Sequence, residues 1–301
     1  KTLMKIAVGA SSFGDAAPEV LEWLQKKGIE VVRNPYGRKM TQEEIIEHLQ
    51  GAVGLLAGLE PLNEEVFRAC PELKAIARIG IGMDNVDREA AARHGIKVSN
   101  TPEGPTDAVA EMTLTALLAI CHNLIPANED VHKGIWKKRM GRSIQELKVL
   151  MVGYGAIGRR TAELLRGLGA EIMIYDKYLP EESTHALAEG VAAADVISLH
   201  ASGKEEILSE ELFARMKENV ILLNSARGGL INEQALYHAL KTGKVAAFWG
   251  DALWTEPYEG MLRECGNAVL TPHICTYTTQ CRMSMERQAV ENLLEDLEYG
   301  L

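Results

Sequence analysis

Residues 148–158 read K-V-L-M-V-G-Y-G-A-I-G and place three glycines, Gly153, Gly155 and Gly158, at the spacing G-x-G-x-x-G. An apolar run precedes the first glycine, and a helix-forming stretch, residues 159–167, follows the last one. In a strand–turn–helix unit of this kind, the first glycine permits the tight turn and the second lets the backbone approach a pyrophosphate. The third lets helix and strand pack closely. Because the N–H groups at a helix start favour phosphate, the stretch predicts a dinucleotide site in an α/β fold.

An acidic residue, Asp176, ends the next apolar run after these glycines. A carboxylate at this point of a dinucleotide-binding unit can accept hydrogen bonds from the ribose diol of the adenosine. Its charge would also repel a 2′-phosphate. We therefore expect NAD rather than NADP as the cofactor.

Short apolar runs alternate with helical patterns on both sides of this unit. Before it, apolar runs lie near residues 3–8, 29–32, 53–57 and 74–79, and a second series begins near residue 147. This β-α-β alternation predicts parallel sheets covered by helices on both faces. The chain has 301 residues, which is more than one hydrophobic core usually supports. We therefore predict an α/β protein with two doubly wound parallel-sheet domains.

The position of the glycines along the chain indicates how the two domains are connected. Roughly half of the chain precedes Gly153, so the nucleotide domain is expected to be inserted between two parts of the other domain. We predict that residues 99–275 form the nucleotide-binding domain. Residues 1–98 and 276–301 are then expected to form the second domain, which is discontinuous.

The composition limits the classes of partner. The net charge is −10, and an acidic chain without an extended basic stripe argues against nucleic acid or an anionic membrane surface. No apolar run approaches the length of a transmembrane helix, and the first residues do not resemble a signal peptide. The five cysteines are scattered, without C-x-x-C or zinc spacing. Reduced thiols, the absence of a metal site and a cytoplasmic location are therefore expected.

Several further motifs occur in a fixed order along the chain. They are R-I-G-I-G-M-D-N-V-D at 78–87, S-N-T-P-E-G-P-T-D-A-V-A-E at 99–111, D-V-I-S-L-H at 195–200, N-S-A-R-G-G at 224–229, G-D-A-L-W-T-E-P at 250–257 and T-P-H-I at 271–274. In this set the chain resembles the D-2-hydroxyacid dehydrogenase family over nearly its whole length. Within that family it is similar to phosphoglycerate dehydrogenases and to hydroxypyruvate or glyoxylate reductases.

The resemblance implies a flavodoxin-like substrate domain and an inserted Rossmann domain that binds NAD, with the site in the cleft between them. It implies a hydride transfer between NAD(H) and a small 2-oxo or 2-hydroxy acid of D configuration. It also implies a homodimer.

The last three motifs supply the side chains that this chemistry needs, and each begins at the end of a predicted strand, where ligands bind in open α/β sheets. Arg227 offers a planar fork for a carboxylate and the adjacent carbonyl oxygen. His273 would give a proton to the carbonyl oxygen as hydride arrives, and take it back in oxidation. Glu256 would hold the imidazole in one tautomer and stabilise its charged form. We predict these three as the catalytic residues.

The resemblance implies further contacts. Cofactor contacts, beyond the three glycines and Asp176, are expected at Thr106, Ile157, His200, Ala226 and Asp251, the last toward the nicotinamide carboxamide. For His200 we favour packing on the cofactor side over catalysis. Substrate contacts are expected at Arg78, Ile81, Gly82 and Arg227, with the Ile81 and Gly82 amides gripping a carboxylate. Glu60 is expected to line the substrate side and to oppose a phosphorylated ligand.

Some stretches depart from the family pattern. The region from Tyr178 to Asp195 is short, as if a strand and a helix were trimmed. Residues 201–205 lack the loop that often covers the cofactor. Cys275 stands where glycine is usual, and Phe248 and Trp249 replace small residues.

Two other functions remain open from the sequence. One is D-3-phosphoglycerate dehydrogenase activity, since residues 78–111 resemble that enzyme. The other is a non-enzymatic, NADH-sensing scaffold like the C-terminal-binding-protein corepressors. Turnover of a panel of 2-oxo acids distinguishes an enzyme from a sensor.

Overall fold

The computed structural model describes residues 3–145 and 147–299, which divide into two compact units. One is drawn from Lys1–Pro105 and Tyr277–Leu301, and the other from Thr106–Thr276. The predicted boundaries after residues 98 and 275 need correction, because the chain leaves the first unit after Pro105 and returns after Thr276. The physical reason for the first shift is that Lys97–Asn100 is a strand of the first sheet.

The elements follow one another in an almost regular alternation of strand and helix. The strands are β1 (Met4–Val8), β2 (Ile29–Val32), β3 (Gly54–Ala57), β4 (Ala75–Arg78), β5 (Lys97–Asn100), β6 (Lys148–Val152), β7 (Glu171–Tyr175), β8 (Val196–Leu199), β9 (Val220–Asn224), β10 (Val245–Gly250) and β11 (Ala268–Leu270). The helices are α1 (Pro18–Lys26), α2 (Gln42–His48), α3 (Glu64–Ala69), α4 (Arg88–Arg93), α5 (Pro105–Cys121), α6 (Leu124–His132), α7 (Ala156–Gly167), α8 (Leu187–Ala193), α9 (Glu210–Arg215), α10 (Glu233–Thr242) and α11 (Thr279–Asp296).

The sheet of the first unit has the strand order β2-β1-β3-β4-β5, and its strand pairs are parallel. This is the order of flavodoxin-like folds, as expected. The sheet of the second unit has the order β11-β10-β9-β8-β6-β7, again with parallel pairs. The prediction of two doubly wound parallel sheets is confirmed.

The strand order of the second sheet reverses next to β6, because β7 pairs with one side of this strand and β8 with the other. Ligands of open α/β sheets bind at such a switch point, outside the carboxyl ends of the strands. The glycine-rich turn begins there. Between β7 and β8 the described chain has a single 3₁₀ turn, Pro180–Glu182, and α8, but no strand. The stretch that looked short in the sequence is therefore short in the fold.

Alternating side chains of β6 enter two different cores. Leu150 and Val152 pack into one core, whereas Val149 and Met151 pack into the core on the other face of the sheet. Burial on both faces is what a parallel sheet covered by helices requires, and it explains why these strands read as continuous apolar runs.

The last helix, α11, packs against β3, β4 and β5 of the first unit. Its side chains reach the sheet through polar contacts as well, since Asn292 Nδ2 donates to the Asn100 carbonyl at 3.0 Å. The helix begins at Thr279, and the hydroxyl of Thr278 caps it by accepting the Cys281 N–H at 3.2 Å.

Within residues 3–145 and 147–299, no single helix is long and apolar enough to cross a membrane. The pair α5 and α6, bent by 58°, meets the criteria of length and composition when taken together. Val109, Ala116 and Leu117 of α5 pack into a core of the second unit. The same described residues contain no group of three or more His, Cys, Asp and Glu side chains that could hold a metal ion.

Candidate active site

The glycine-rich turn connects β6 to α7. Gly153 has a φ of +93°, a left-handed conformation that glycine adopts without strain. A Cβ at Gly158 would lie 2.3 Å from the Gly153 carbonyl oxygen, so only glycine lets the helix pack on the turn. In contrast, a Cβ at Gly155 would meet no atom within 4 Å. The surface above Gly155 and the start of α7 is therefore open, which fits a pyrophosphate held by helix N–H groups.

Asp176 lies directly after β7 and ties two turns together. Its Oδ2 accepts the Tyr154 N–H of the glycine-rich turn at 2.7 Å. Its Oδ1 accepts the N–H groups of Tyr178 and Leu179 at 2.8 and 3.0 Å. The carboxylate thus braces the turn in addition to the ribose contact that the sequence predicts for it.

His200 follows β8 and lies beside the glycine-rich turn. Ser198 Oγ lies 2.7 Å from its Nε2 and Ser225 Oγ lies 2.9 Å from its Nδ1, so both ring nitrogens have hydroxyl partners. Burial lowers the pKa of His200 to about 4, and the ring is neutral at physiological pH. A neutral, doubly hydrogen-bonded ring suits packing on the cofactor side rather than acid–base work.

Arg227 lies in the turn after β9, and the turn is held by a buried asparagine. Asn224 is 1% exposed; its Oδ1 accepts the Ala226 N–H at 3.0 Å and its Nδ2 donates to the Arg227 carbonyl at 2.8 Å. A Cβ at Gly228 would lie 2.5 Å from the Trp254 nitrogen, so this turn packs against the loop that follows β10. Asn224 is not among the residues expected from the sequence, because its role becomes apparent only from the hydrogen bonds of the folded turn.

His273 and Glu256, which the sequence predicts to work as an acid–base pair, lie in contact with each other. His273 Nδ1 lies 2.8 Å from Glu256 Oε1, although the two residues come from the loops after β11 and β10. Both side chains are partly exposed, at 37% and 42%. The backbone of His273 has a φ of +55°, in the left-handed region that a non-glycine residue adopts at a cost of order 1–3 kcal/mol.

Asp251 is almost completely buried, with 2% exposure, at the start of the loop after β10. Its carboxylate accepts the N–H groups of Ile274 and Cys275, each at 2.9 Å, and the Thr271 hydroxyl at 2.6 Å. The resemblance implies a contact of Asp251 to the nicotinamide, whereas the contacts of its carboxylate to the His273 loop become apparent only in the fold.

Ile157, Ala226 and Thr106 are each partly exposed at the ends of elements in the second unit. Ile157 lies in the first turn of α7 and Thr106 in the first turn of α5, whereas Ala226 lies in the turn after β9. Their predicted contacts with the cofactor stay predictions.

In the first unit, the turn after β4 carries the residues expected to grip a carboxylate. Gly80 has a φ of +140°, and its N–H donates to Thr101 Oγ1 at 2.8 Å. Asn100 Nδ2 holds the Ile81 carbonyl at 3.0 Å, and the Ile81 side chain is 38% exposed. Arg78 is 8% exposed, and its guanidinium turns back to donate to the Ile79 carbonyl. Gly82 lies next to Ile81 in this turn and is partly exposed.

The expectation that Glu60 lines the substrate side is wrong. Its side chain is 0% exposed, and its two carboxylate oxygens accept the Gly58 N–H at 3.0 and 3.1 Å. Burial raises the pKa of Glu60, against the opposing effect of these backbone hydrogen bonds and of the Arg78 charge. The loop after β3 folds this carboxyl inward, so it does not face a ligand.

Five strand ends of the second sheet thus bring together the glycine-rich turn, His200, Arg227, the Asp251–Glu256 loop and His273, in the spatial order of the strands. This is the architecture of a nucleotide-dependent oxidoreductase. A family model described as "D-isomer specific 2-hydroxyacid dehydrogenase, NAD binding domain" matches residues 114–275. The chain belongs to the D-2-hydroxyacid dehydrogenase family.

Individual relatives extend this match beyond the second unit. A hydroxypyruvate reductase of Blautia hydrogenotrophica is 33% identical over 93% of this chain and 94% of its own length. A D-3-phosphoglycerate dehydrogenase of Archaeoglobus fulgidus is 31% identical over 92% of this chain, but the match spans only 55% of that protein. A crystal structure of a protein from Thermus thermophilus has a TM-score of 0.89 at 33% identity, covering 98% of this chain and 97% of its own.

Proposed function

We propose that this protein reduces small 2-oxo acids to D-2-hydroxy acids with NADH, and catalyses the reverse oxidation with NAD. The observation that carries the proposal is the His273–Glu256 pair, 2.8 Å apart at the carboxyl edge of an NAD-binding sheet. Because Glu256 binds Nδ1, the other ring nitrogen of His273 is the one that can exchange a proton with substrate.

The proposed roles divide the work of the reaction among three side chains. A hydride is supplied to C2 of the oxo acid by bound NADH. His273 donates a proton to the carbonyl oxygen, which becomes the hydroxyl, and Glu256 holds the ring through its Nδ1 during the transfer. The Arg227 guanidinium, whose Nη1 donates to the Ala226 carbonyl at 2.7 Å, would also donate to the substrate carboxylate or carbonyl oxygen.

The experiment is steady-state turnover with NADH and glyoxylate, hydroxypyruvate and pyruvate. We expect saturable oxidation of NADH with at least one of them. Binding of NADH without turnover of any 2-oxo acid would instead favour the sensor-like scaffold.

We further propose that the substrate is unphosphorylated. The near full-length similarity to a hydroxypyruvate reductase supports this, since the similarity to the phosphoglycerate enzyme covers about half of that protein. The buried Arg78 guanidinium, turned toward the Ile79 carbonyl, is not presented to a phosphate dianion. The Glu60 carboxyl is buried as well and takes no part in the preference.

Comparison of kcat/KM for hydroxypyruvate and its 3-phosphate at matched salt tests this point. We expect kcat/KM to be higher for the unphosphorylated acid. A phosphate ester that is better by about tenfold, which corresponds to about 1.4 kcal/mol, would point to phosphoglycerate dehydrogenase activity, especially if Arg78→Ala abolished the advantage.

We also propose a homodimer in the cytoplasm, built on the segment around α6. Val131, Trp136 and Met140 are 56%, 86% and 97% exposed, and Leu124 is 63% exposed. These exposed apolar side chains lie close together in the sequence, and large exposed apolar side chains are typical of protein interfaces, where tryptophan in particular acts as an anchor. The nearby basic side chains Lys137 and Lys138 are exposed as well.

A further inference from the structure

The loop that carries His273 is held in an unfavourable backbone conformation. A φ of +55° is rare for a residue with a β-carbon, and it persists only where the surroundings over-determine it. The His273 N–H donates to two carbonyl oxygens, those of Asp251 and Thr271, each at 3.0 Å. Backbone contacts before and after His273 therefore decide where its imidazole lies.

The Asp251 carboxylate adds side-chain contacts to the loop on both sides of His273. It accepts the Thr271 hydroxyl, two residues before the histidine, and the N–H groups of Ile274 and Cys275 after it, at 2.6 to 2.9 Å. Burial and the neighbouring carboxylate raise the pKa of the Cys275 thiol, which therefore stays protonated and donates to Asp251 as well. Charge-assisted hydrogen bonds of this kind, within a buried site, are about twice as strong as neutral ones.

Trp249 is hydrogen-bonded to Thr271 and so supports the contact between Thr271 and Asp251. The side chain is 0% exposed, and its indole Nε1–H donates to Thr271 Oγ1 at 3.1 Å. The Thr271 hydroxyl has two acceptors in reach, Asp251 Oδ1 at 2.6 Å and the Gly250 carbonyl at 3.4 Å. Because the indole can only donate, it occupies a lone pair of the hydroxyl oxygen and leaves the hydroxyl proton for the carboxylate.

We propose that Thr271 and Trp249 are positioning residues for His273, acting through Asp251. The two side chains fix the Thr271–Cys275 loop, so that His273 Nδ1 stays in contact with Glu256 Oε1 and Nε2 is left for proton exchange. The proposal rests on the proposed function, in which His273 exchanges the substrate proton. Misplacement of a catalytic group by a fraction of an ångström lowers the rate of proton transfer more than it lowers binding.

The decisive variants are Thr271→Val, which keeps the shape and removes the hydroxyl, and Thr271→Ser, which keeps the hydroxyl. We expect Thr271→Val to lower kcat by about tenfold, with KM for the oxo acid and Kd for NADH changed by less than about threefold. Thr271→Ser should retain most of the kcat. Trp249→Phe, which keeps an aromatic side chain and removes the indole N–H, should also lower kcat.

Thr113→Val is the matched control. Thr113 is 1% exposed in the same unit, and its hydroxyl donates within its own helix, to the Val109 carbonyl at 2.8 Å. We expect its kcat to match that of the wild type. Amide hydrogen exchange of residues 273–275 gives a readout independent of turnover: protection should fall in Thr271→Val and stay unchanged in Thr113→Val.

The proposal would be overturned by an unchanged kcat in Thr271→Val, or by a loss of kcat in Thr271→Ser as large as in Thr271→Val. Unchanged exchange protection of the loop in Thr271→Val would overturn it as well. If the wild type itself turned over no 2-oxo acid, the proposed function would fall, and the exchange data alone would still decide whether the hydroxyl holds the loop.

Discussion

In the proposed function, the contact between His273 Nδ1 and Glu256 Oε1 leaves Nε2 as the nitrogen that exchanges a proton with substrate. We predict that His273→Ala lowers kcat at least about a hundredfold, because the lost proton donor contributes that much to typical acid–base catalysis. NADH binding, measured by titration calorimetry, should be retained. Near-normal turnover would mean that His273 serves only the loop structure.

The left-handed backbone of His273 calls for a second variant. His273→Asn removes the imidazole but is better tolerated at a positive φ, so equal losses in the two variants exclude a backbone effect. His238→Ala, at an exposed position of α10, is the control and should leave kcat unchanged.

Asp176 carries the second prediction at this scale. Its carboxylate would repel a 2′-phosphate, so kcat/KM should be higher with NADH than with NADPH. Asp176→Asn should narrow that ratio, whereas Glu181→Gln, an exposed acidic residue nearby, should not. A preference of the wild type for NADPH contradicts the assignment, and Lys177 would then be the first cation to examine.

Some of these residues can be read from the sequence and others cannot. His273 and Glu256 stand in ordered motifs that end predicted strands, which is enough to propose that they meet. Asn224 and Thr271 act through hydrogen bonds that become visible only when the loops after β9, β10 and β11 are folded. Glu60 shows the opposite error, because no sequence pattern indicates that a loop carboxylate turns inward onto the Gly58 N–H.

At the scale of elements, the alternation of apolar runs and helical patterns was sufficient to predict both sheets. The predicted boundary after residue 98 falls inside β5, a short edge strand of exposed and half-buried residues that lacks the apolar run of β4. The edge position of β5 is a consequence of pairing, and pairing is not written in the local sequence.

The helix α11 contains a buried acid, Glu286, that gives this element a pH dependence. The side chain is 0% exposed, and burial raises its pKa to about 7. The Gly14 N–H donates to its Oε2 at 3.2 Å, and Arg282, Asp15 and Arg33 are the charged groups around it.

The direction of the effect follows from proton linkage. Between pH 4.5, the ordinary pKa of glutamate, and about pH 7, the Glu286 carboxyl is protonated in the folded state and ionised in the unfolded state. This contribution to stability is complete below the pKa of the unfolded state and is lost as pH rises through the pKa of the folded state. We predict that the free energy of unfolding falls from pH 5 to pH 8, with a contribution from Glu286 of at most about 3 kcal/mol.

Glu286→Gln should remove most of this fall, since the amide keeps the shape and can still accept the Gly14 N–H. Denaturant unfolding at the two pH values measures the difference. Glu291→Gln, at an exposed position of the same helix, should behave like the wild type. An equal pH dependence in Glu286→Gln and the wild type would show that Glu286 is not the titrating group.

At the scale of the whole molecule, the proposed dimer explains side chains that the fold of one chain leaves uncovered. Trp136 and Met140 are 86% and 97% exposed, and neither side chain packs into the cores of the second unit described above. We predict that Trp136→Glu weakens self-association by a factor of about thirty or more, as expected for an aromatic anchor worth about 2 kcal/mol or more at an interface centre. Sedimentation equilibrium measures the change. Leu168→Glu, at another exposed apolar position of the same unit with 43% exposure, should leave the dimer intact. A monomeric wild type, or a dimer that Trp136→Glu does not disturb, would assign this surface to some other contact.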